Sequence, residues 1–334
     1  MIHPTTHKRA NMKLYRVPVL LFICTLIICF NSFAQADTTL ANLKDTVSQV
    51  SQTSDTGGEK DSESNRESNS NPKKSYFRAG LSYLSNNVYL GRKDSIPVRY
   101  LTPKLGFYTK SGFFVEGTAG ELIDAKVTRL DMFSLAAGYS FSAGNYEGEV
   151  TGSKFFYNSQ SSNIRSGVGA SLEYYNSYDF NFIRPTISTT LNFSNKLDFA
   201  SAFGLEHSFT LIEDKMDLTP TLVANASTQN YYNNYYKKRR NAAKAKASPT
   251  AVASVSRQVL NASSFKLLDY EASLPINYEI GKLRLSFVPT YAIPVHPAEI
   301  EVTSLLNNGT DKVRTVSEKL SNSFFCEFLL SFKF

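Results

Sequence analysis

From Tyr76 to Phe334 apolar residues recur at every second position in one segment after another, and no run there is long enough for a membrane helix. The sharpest case is the end, "FFCEFLLSFKF". Phe324, Cys326, Phe328, Leu330, Phe332 and Phe334 share one parity, and Phe325, Glu327, Leu329, Ser331 and Lys333 share the other. A period of two is the period of a strand, so one face is almost wholly apolar as far as the last residue, where a soluble chain usually frays. Hydrocarbon offers no water to unpaired backbone groups. A chain that crosses it with strands must therefore close them into a barrel.

Pairing each alternating segment with its turn gives twelve strands. They are "YFRAGLSYL" (76–84), 98–110, 112–120, 129–142, 146–157, 166–175, 182–194, 197–211, 216–228, 265–280, 283–295 and about 319–334. The links after strands 2, 4, 6, 8 and 10 are tight: 110–112, 143–145, 176–179, 213–215 and 281–282. Those after strands 1, 3, 5, 9 and 11 are longer, and only the seventh, 195–196, departs from this rule. Short turns on one rim and long loops on the other are the asymmetry of outer-membrane barrels. Strands of about 10–14 residues rising about 3.3 Å each, tilted by about 40°, cover the apolar band of about 25 Å. Pro103, Pro185, Pro220, Pro275 and Pro289 fall inside strands and remove ladder donors, which predicts bulges or bends there. The fold expected is all-β: a membrane-spanning, antiparallel up-and-down β-barrel of about twelve strands.

The front of the chain reads as export machinery. Lys8, Arg9, Lys13 and Arg16 precede the apolar run Val17–Phe30, and Ala34 and Ala36 flank Gln35. Basic start, apolar middle and small-residue exit make a signal peptide over 1–36, since about 14 apolar residues are short for a span of roughly 20. Residues 37–75 are rich in Ser, Asn and charge and read as a disordered periplasmic linker, open to a periplasmic partner. The barrel takes 76–334, with a long surface loop at 229–264. Of three cysteines, Cys24 and Cys29 lie in the signal run, leaving Cys326 and no disulfide.

The parity that puts Phe and Leu in lipid puts a charged set in the lumen. On strand 10 that face reads Asp269, Glu271, Ser273, Asn277 and Glu279, opposite Leu268, Tyr270, Leu274, Ile276 and Tyr278. Lys104, Glu116, Glu173, Arg184, Arg284 and Glu327 join it, as do Arg78, Glu147, Glu149, Asp198, Glu206 and Asp217. An Arg or Lys turned to lipid at the midplane would cost about 2–4 kcal/mol, so this set faces water or pairs. Acids exceed bases, and carboxylate rings favour cations. Two outcomes stay open: a narrow channel for small polar or cationic solutes, or a lumen filled by salt-bridged side chains, twelve strands lying between the filled and open sizes.

The loop 229–264 carries Lys237, Lys238, Arg239, Arg240, Lys244, Lys246 and Arg257 and no acid, beside Tyr231, Tyr232, Tyr235 and Tyr236. On an outer surface the nearest polyanion is lipopolysaccharide: Arg and Lys meet phosphate, and Tyr stacks on sugar. This supports an alternative function, a surface adhesion or structural barrel working through Lys237–Arg240, Tyr235 and Tyr236. A nucleic-acid role is not expected, because no recognition fold is present.

Enzymatic chemistry finds little foothold. Of four histidines, His3 and His7 leave with the signal, and His296 begins a loop. His207 stands beside Glu206 and Ser208. Adjacent strand residues point to opposite faces, so His207 and Ser208 cannot pair as base and nucleophile. A lipid-active enzyme is thus a distant third reading, and no metal spacing or cofactor motif is present.

Phe328, Leu330, Phe332 and Phe334 together resemble the C-terminal sorting signature of bacterial outer-membrane β-barrel proteins. That resemblance implies an outer-membrane location and recognition of the last strand by the barrel-assembly machinery. The stretch "YLGRKDSIPVRYLTPKLGFYTKSGFFVEGTAG" is faintly similar to barrels of the MipA/OmpV type, and no functional residue is carried over from it.

Overall fold

The computed structural model describes residues 74–93, 97–123, 128–161, 163–212, 215–233, 252–306 and 311–334. The signal and nearly all of the linker, the turn 213–214 and the basic segment with Tyr235, Tyr236, Lys237, Lys238, Arg239 and Arg240 lie outside these.

The alternating segments form twelve barrel strands. They are β1 Tyr76–Leu84, β2 Arg99–Tyr108, β3 Phe113–Ile123, β4 Thr128–Ala143, β5 Tyr146–Tyr157, β6 Ala170–Tyr178, β7 Arg184–Phe193, β8 Leu197–Glu206 with Phe209–Leu211, β9 Met216–Leu218 with Thr221–Ser227, β10 Lys266–Ser273 with Ile276–Ile280, β11 Leu283–Pro294 and β12 Ser323–Lys333. Each pairs antiparallel with its sequence neighbour. The wall closes where β12 also pairs β1, Arg78 opposite Lys333 and Leu84 opposite Glu327. Closure leaves no barrel edge, which is what hydrocarbon demands.

The two faces divide as the period requires. On β1, Phe77 and Leu81 are exposed on the outside, while Arg78 and Ser82 are buried within. On β12, Phe324, Phe328, Leu330, Phe332 and Phe334 face outward, and Phe325 and Ser331 are buried on the inner face. The exterior is mainly apolar, from Leu105 and Phe133 through Leu172 and Ile187 to Leu285. Among the described residues no helix is long and apolar enough to cross a membrane, which says nothing of strands.

The strand limits shift in several places, among them both ends of β6. Residues 164–167 form a 3-10 turn, so β6 starts later and runs through Asn176 and Ser177. The turn expected there moves to 179–183, where Asp179 accepts the Asn181 amide and Asn181 takes a φ of 70°. Pro220 and Pro275 sit where β9 and β10 break, and Pro289 lies on β11 where its pairing to β10 lapses. Pro185 stays within an uninterrupted ladder to β8, opposite Leu205, so not every strand proline marks a break. One face assignment fails: Leu268, read as lipid-facing, is fully buried. A register shift between Asn225 and Ala226 re-aims the start of β10, as a bulge does.

The long connections are not plain loops. Val252–Val259, Glu299–Leu306 and Asp311–Ser317 form a separate three-stranded sheet on that rim. The first connection makes a two-residue hairpin, Val88–Tyr89 with Arg92–Lys93. Its turn is Leu90–Gly91, both with positive φ (51° and 73°), as the twist of a tight hairpin requires. A leucine in that region carries roughly 1–2 kcal/mol of strain.

Candidate functional site

Two sets of polar residues occupy the interior. The first lines the wall and is ion-paired. Lys104 Nζ lies 3.6 Å from Glu116, which also accepts the Tyr108 hydroxyl at 2.8 Å. Arg184 reaches Asp179 at 3.4 Å, Glu206 at 3.5 Å and Glu147 at 3.9 Å. Arg284 faces Glu279 at 3.8 Å across the β10–β11 hairpin. Glu149 accepts Ser140 Oγ at 2.6 Å and Thr151 Oγ1 at 3.0 Å. Parity brought these side chains to one face, and the register placed most acids beside a base or a hydroxyl. Such charges are spent on one another.

Asp269 and Glu271 differ. They sit two residues apart on β10 with Asn225 directly opposite Asp269, and among the described residues neither makes a salt bridge. Asp269 is fully buried. The hairpin covers it: a Cβ on Gly91 would come within 2.9 Å of the Asp269 Cβ and 2.8 Å of the Pro294 Cβ. Glycine therefore serves both the positive φ and the close approach.

The second set lies at the long-loop rim. The hairpin turns inward and crosses the barrel. Val88 packs on Ala292 of β11 and Phe325 of β12. Tyr89 meets Tyr231 edge-on at 5.5 Å and Arg165 at 5.2 Å, with Asn192 of β7 and Asp198 of β8 around its phenol. Since β1 lies across the ring from β7, the hairpin spans the lumen. Arg92, only 1% exposed, lies 3.3 Å from Glu318 and donates to the Gln229 side chain at 3.1 Å and the His296 carbonyl at 3.2 Å.

Three buried acids pull the rim connections inward. Glu318 accepts Arg92 Nε, the Ala298 amide and the Tyr232 hydroxyl. Asp198 accepts Thr228 Oγ1 and the amides of Asn230 and Tyr231, each at 2.7 Å. Asp131 accepts the hydroxyls of Tyr100 and Ser161 at 2.7 Å and Arg129 Nε at 3.2 Å. Burial opposes the charge on Arg92, but Glu318 beside it more than restores it, so the guanidinium stays charged with its pKa above the ordinary value. Burial likewise raises the Tyr89 and Tyr231 phenols, against the pull of Arg165 and Arg92, so both stay neutral.

Two sequence readings change here. Tyr231 and Tyr232, expected on the outer surface beside the basic run, are buried at 1% and 0% exposure, because Asp198 accepts the Tyr231 amide and Glu318 takes the Tyr232 hydroxyl. The interior is also not lined by wall residues alone. Arg92, Glu318 and the hairpin were not singled out, although "YLGR" holds a leucine–glycine turn that could have marked a hairpin. His207 lies on the outer face with its ring edge-on to Phe209 at 4.5 Å, and the Ser208 hydroxyl bonds Thr219 at 3.0 Å. Among the described residues no cluster of His, Cys, Asp and Glu could hold a metal ion.

A closed twelve-stranded barrel, apolar outside and charged within, is a membrane barrel of the bacterial outer-membrane class. No protein-family model matches the chain, and no curated protein does. Solved structures similar to it include a NanC porin (9% identity, 77% of this chain and 100% of that one, TM-score 0.41). Others are a porin (11%, 78% and 99%, TM-score 0.27) and OmpT, an outer membrane protein of Vibrio cholerae (7%, 78% and 96%, TM-score 0.29). Superpositions this loose carry no weight beside the wall itself.

Proposed function

We propose that the barrel is a channel for small polar or cationic solutes, held shut at its long-loop mouth by the hairpin Val88–Lys93. One observation carries this reading: among the described residues Asp269 and Glu271 make no salt bridge on the lumen wall, beneath a hairpin that is docked on the wall rather than built into it. A barrel that used its lumen only as filling would match those carboxylates with bases, as it does at Glu116 and Glu206. Two neighbouring acids with no salt bridge attract cations once the cover lifts.

The adhesion reading weakens, since two of its four tyrosines serve the interior. A lipid-active enzyme has no support in the His207 and Ser208 geometry.

The test is single-channel recording in planar bilayers. The purified barrel is expected to be mostly silent, with rare cation-selective steps. Replacing residues 88–93 by a short Gly-Ser link should make the steps frequent. Adding Asp269→Asn and Glu271→Gln should then reduce the cation preference at least several-fold. Silence after removal of the hairpin, or selectivity indifferent to both acids, would leave a plugged structural barrel as the better account.

A further inference from the structure

Arg165 is a buried base, 2% exposed, that makes no salt bridge among the described residues. Its backbone is fixed in the 3-10 turn, where Asn163 Oδ1 accepts its amide at 2.8 Å and its carbonyl accepts the Val168 amide at 2.7 Å. The guanidinium lies 5.0 Å from the Phe155 ring on β5 and 5.2 Å from the Tyr89 ring, and Nη2 donates to Asn192 of β7 at 3.4 Å. Reaching from β5 to β7, it lies over the inner face of β6 between them. Arg165 Nε is buried there with no hydrogen-bond partner among the described residues. Ser171 of β6, opposite Asn192, turns inward with its hydroxyl equally unpartnered. The Tyr157 hydroxyl, on a ring 6.1 Å from that of Phe155, is a third such group. Buried polar groups are nearly always paired, and a buried charge without a counter-charge is costly. Open donors gathered about one cation are the makings of an anion site.

We infer that Arg165, Ser171 and Tyr157 form a subsite for the carboxylate group of a small solute in the lumen. The class follows from charge and shape. Glu173 and Asp198 lie near enough to bear on the Tyr89 phenol, so a guest with two negative charges would be opposed where a guest with one is not. Phe155 and Tyr89 hold the guanidinium in place, and its planar edge suits the paired oxygens of a carboxylate better than a spherical halide. The two hydroxyls can donate to the same oxygens. The site is built from the wall and the turn and needs no open channel, so it stands or falls apart from the proposed function.

The experiment is urea unfolding of the detergent-refolded barrel in rising sodium propionate, with sodium chloride holding the ionic strength constant. A guest that binds only the folded state raises the midpoint by mass action, and this equilibrium reading does not depend on how fast the guest passes Tyr89. The midpoint is expected to climb with the logarithm of propionate concentration. Arg165→Gln should abolish the climb, and Ser171→Ala should require several-fold more propionate for the same shift. Lys104→Gln, which changes a lumen base already paired to Glu116, should leave it intact. If Arg165→Gln fails to refold, Arg165→Lys keeps the charge without the fork and should lose the preference for propionate over chloride. A flat midpoint in the native protein would mean that water alone serves these donors. That result, a climb unchanged in the Arg165 variant, or phosphate stabilising more than propionate would each overturn the inference.

Discussion

Replacing Arg92 with alanine is expected to unlatch the mouth and to destabilise the barrel by about 3–5 kcal/mol, the usual consequence of leaving a buried partner charge alone. Glu318 would keep the Tyr232 hydroxyl and the Ala298 amide but lose the guanidinium that neutralises it. Gln229 and the His296 carbonyl would lose their donor in the same step. The hairpin then keeps the Val88 and Tyr89 contacts, the approach of Gly91 to Asp269 and Pro294 and the Lys93 bond to the Asn322 carbonyl, against the strain at Leu90. Two readouts should move together: the urea midpoint of the refolded barrel falls, and conductance events become frequent. Arg92→Met with Glu318→Leu should recover part of the stability, because no charge is left buried. A single variant as stable and as silent as the parent would show that the ion pair does not hold the mouth.

The second large effect concerns the wall. Ile187 and Ser188 are neighbours in the middle of β7, and only Ile187 faces out. Arginine at 187 should cost about 2–4 kcal/mol of folded stability in lipid, while arginine at 188 enters the polar interior and should cost far less. Folding titrations into lipid vesicles measure both. Equal penalties at the two positions would mean that the faces are misassigned.

The difference between what could be read in advance and what could not has a physical origin. The wall was legible because lipid outside and water inside impose a period of two on every strand, and a tight turn must use tight-turn residues. Strand number, the outward set ending at Phe334 and the inward acids Glu116, Glu173 and Asp269 all follow from that period. The mouth was not legible, because Arg92 and Glu318 are 226 positions apart and belong to connections with no period at all. Tyr231 and Tyr232 misled for the same reason: beside Lys237–Arg240 they look superficial, and only Asp198, an inward residue of β8, pulls them in. Leu268 failed because a bulge shifts register without any mark in the alternation.

The most direct measurement places a nitroxide at each position from Phe324 to Phe334 in turn, in barrels reconstituted into vesicles, and compares quenching by oxygen with quenching by a water-soluble nickel complex. Labels at 324, 326, 328, 330, 332 and 334 should favour oxygen, and those at 325, 327, 329, 331 and 333 should not, in strict alternation. A profile without that alternation, or nickel access at Phe328 and Leu330 equal to that at Glu327 and Leu329, would contradict a strand with hydrocarbon on one side and a polar interior on the other.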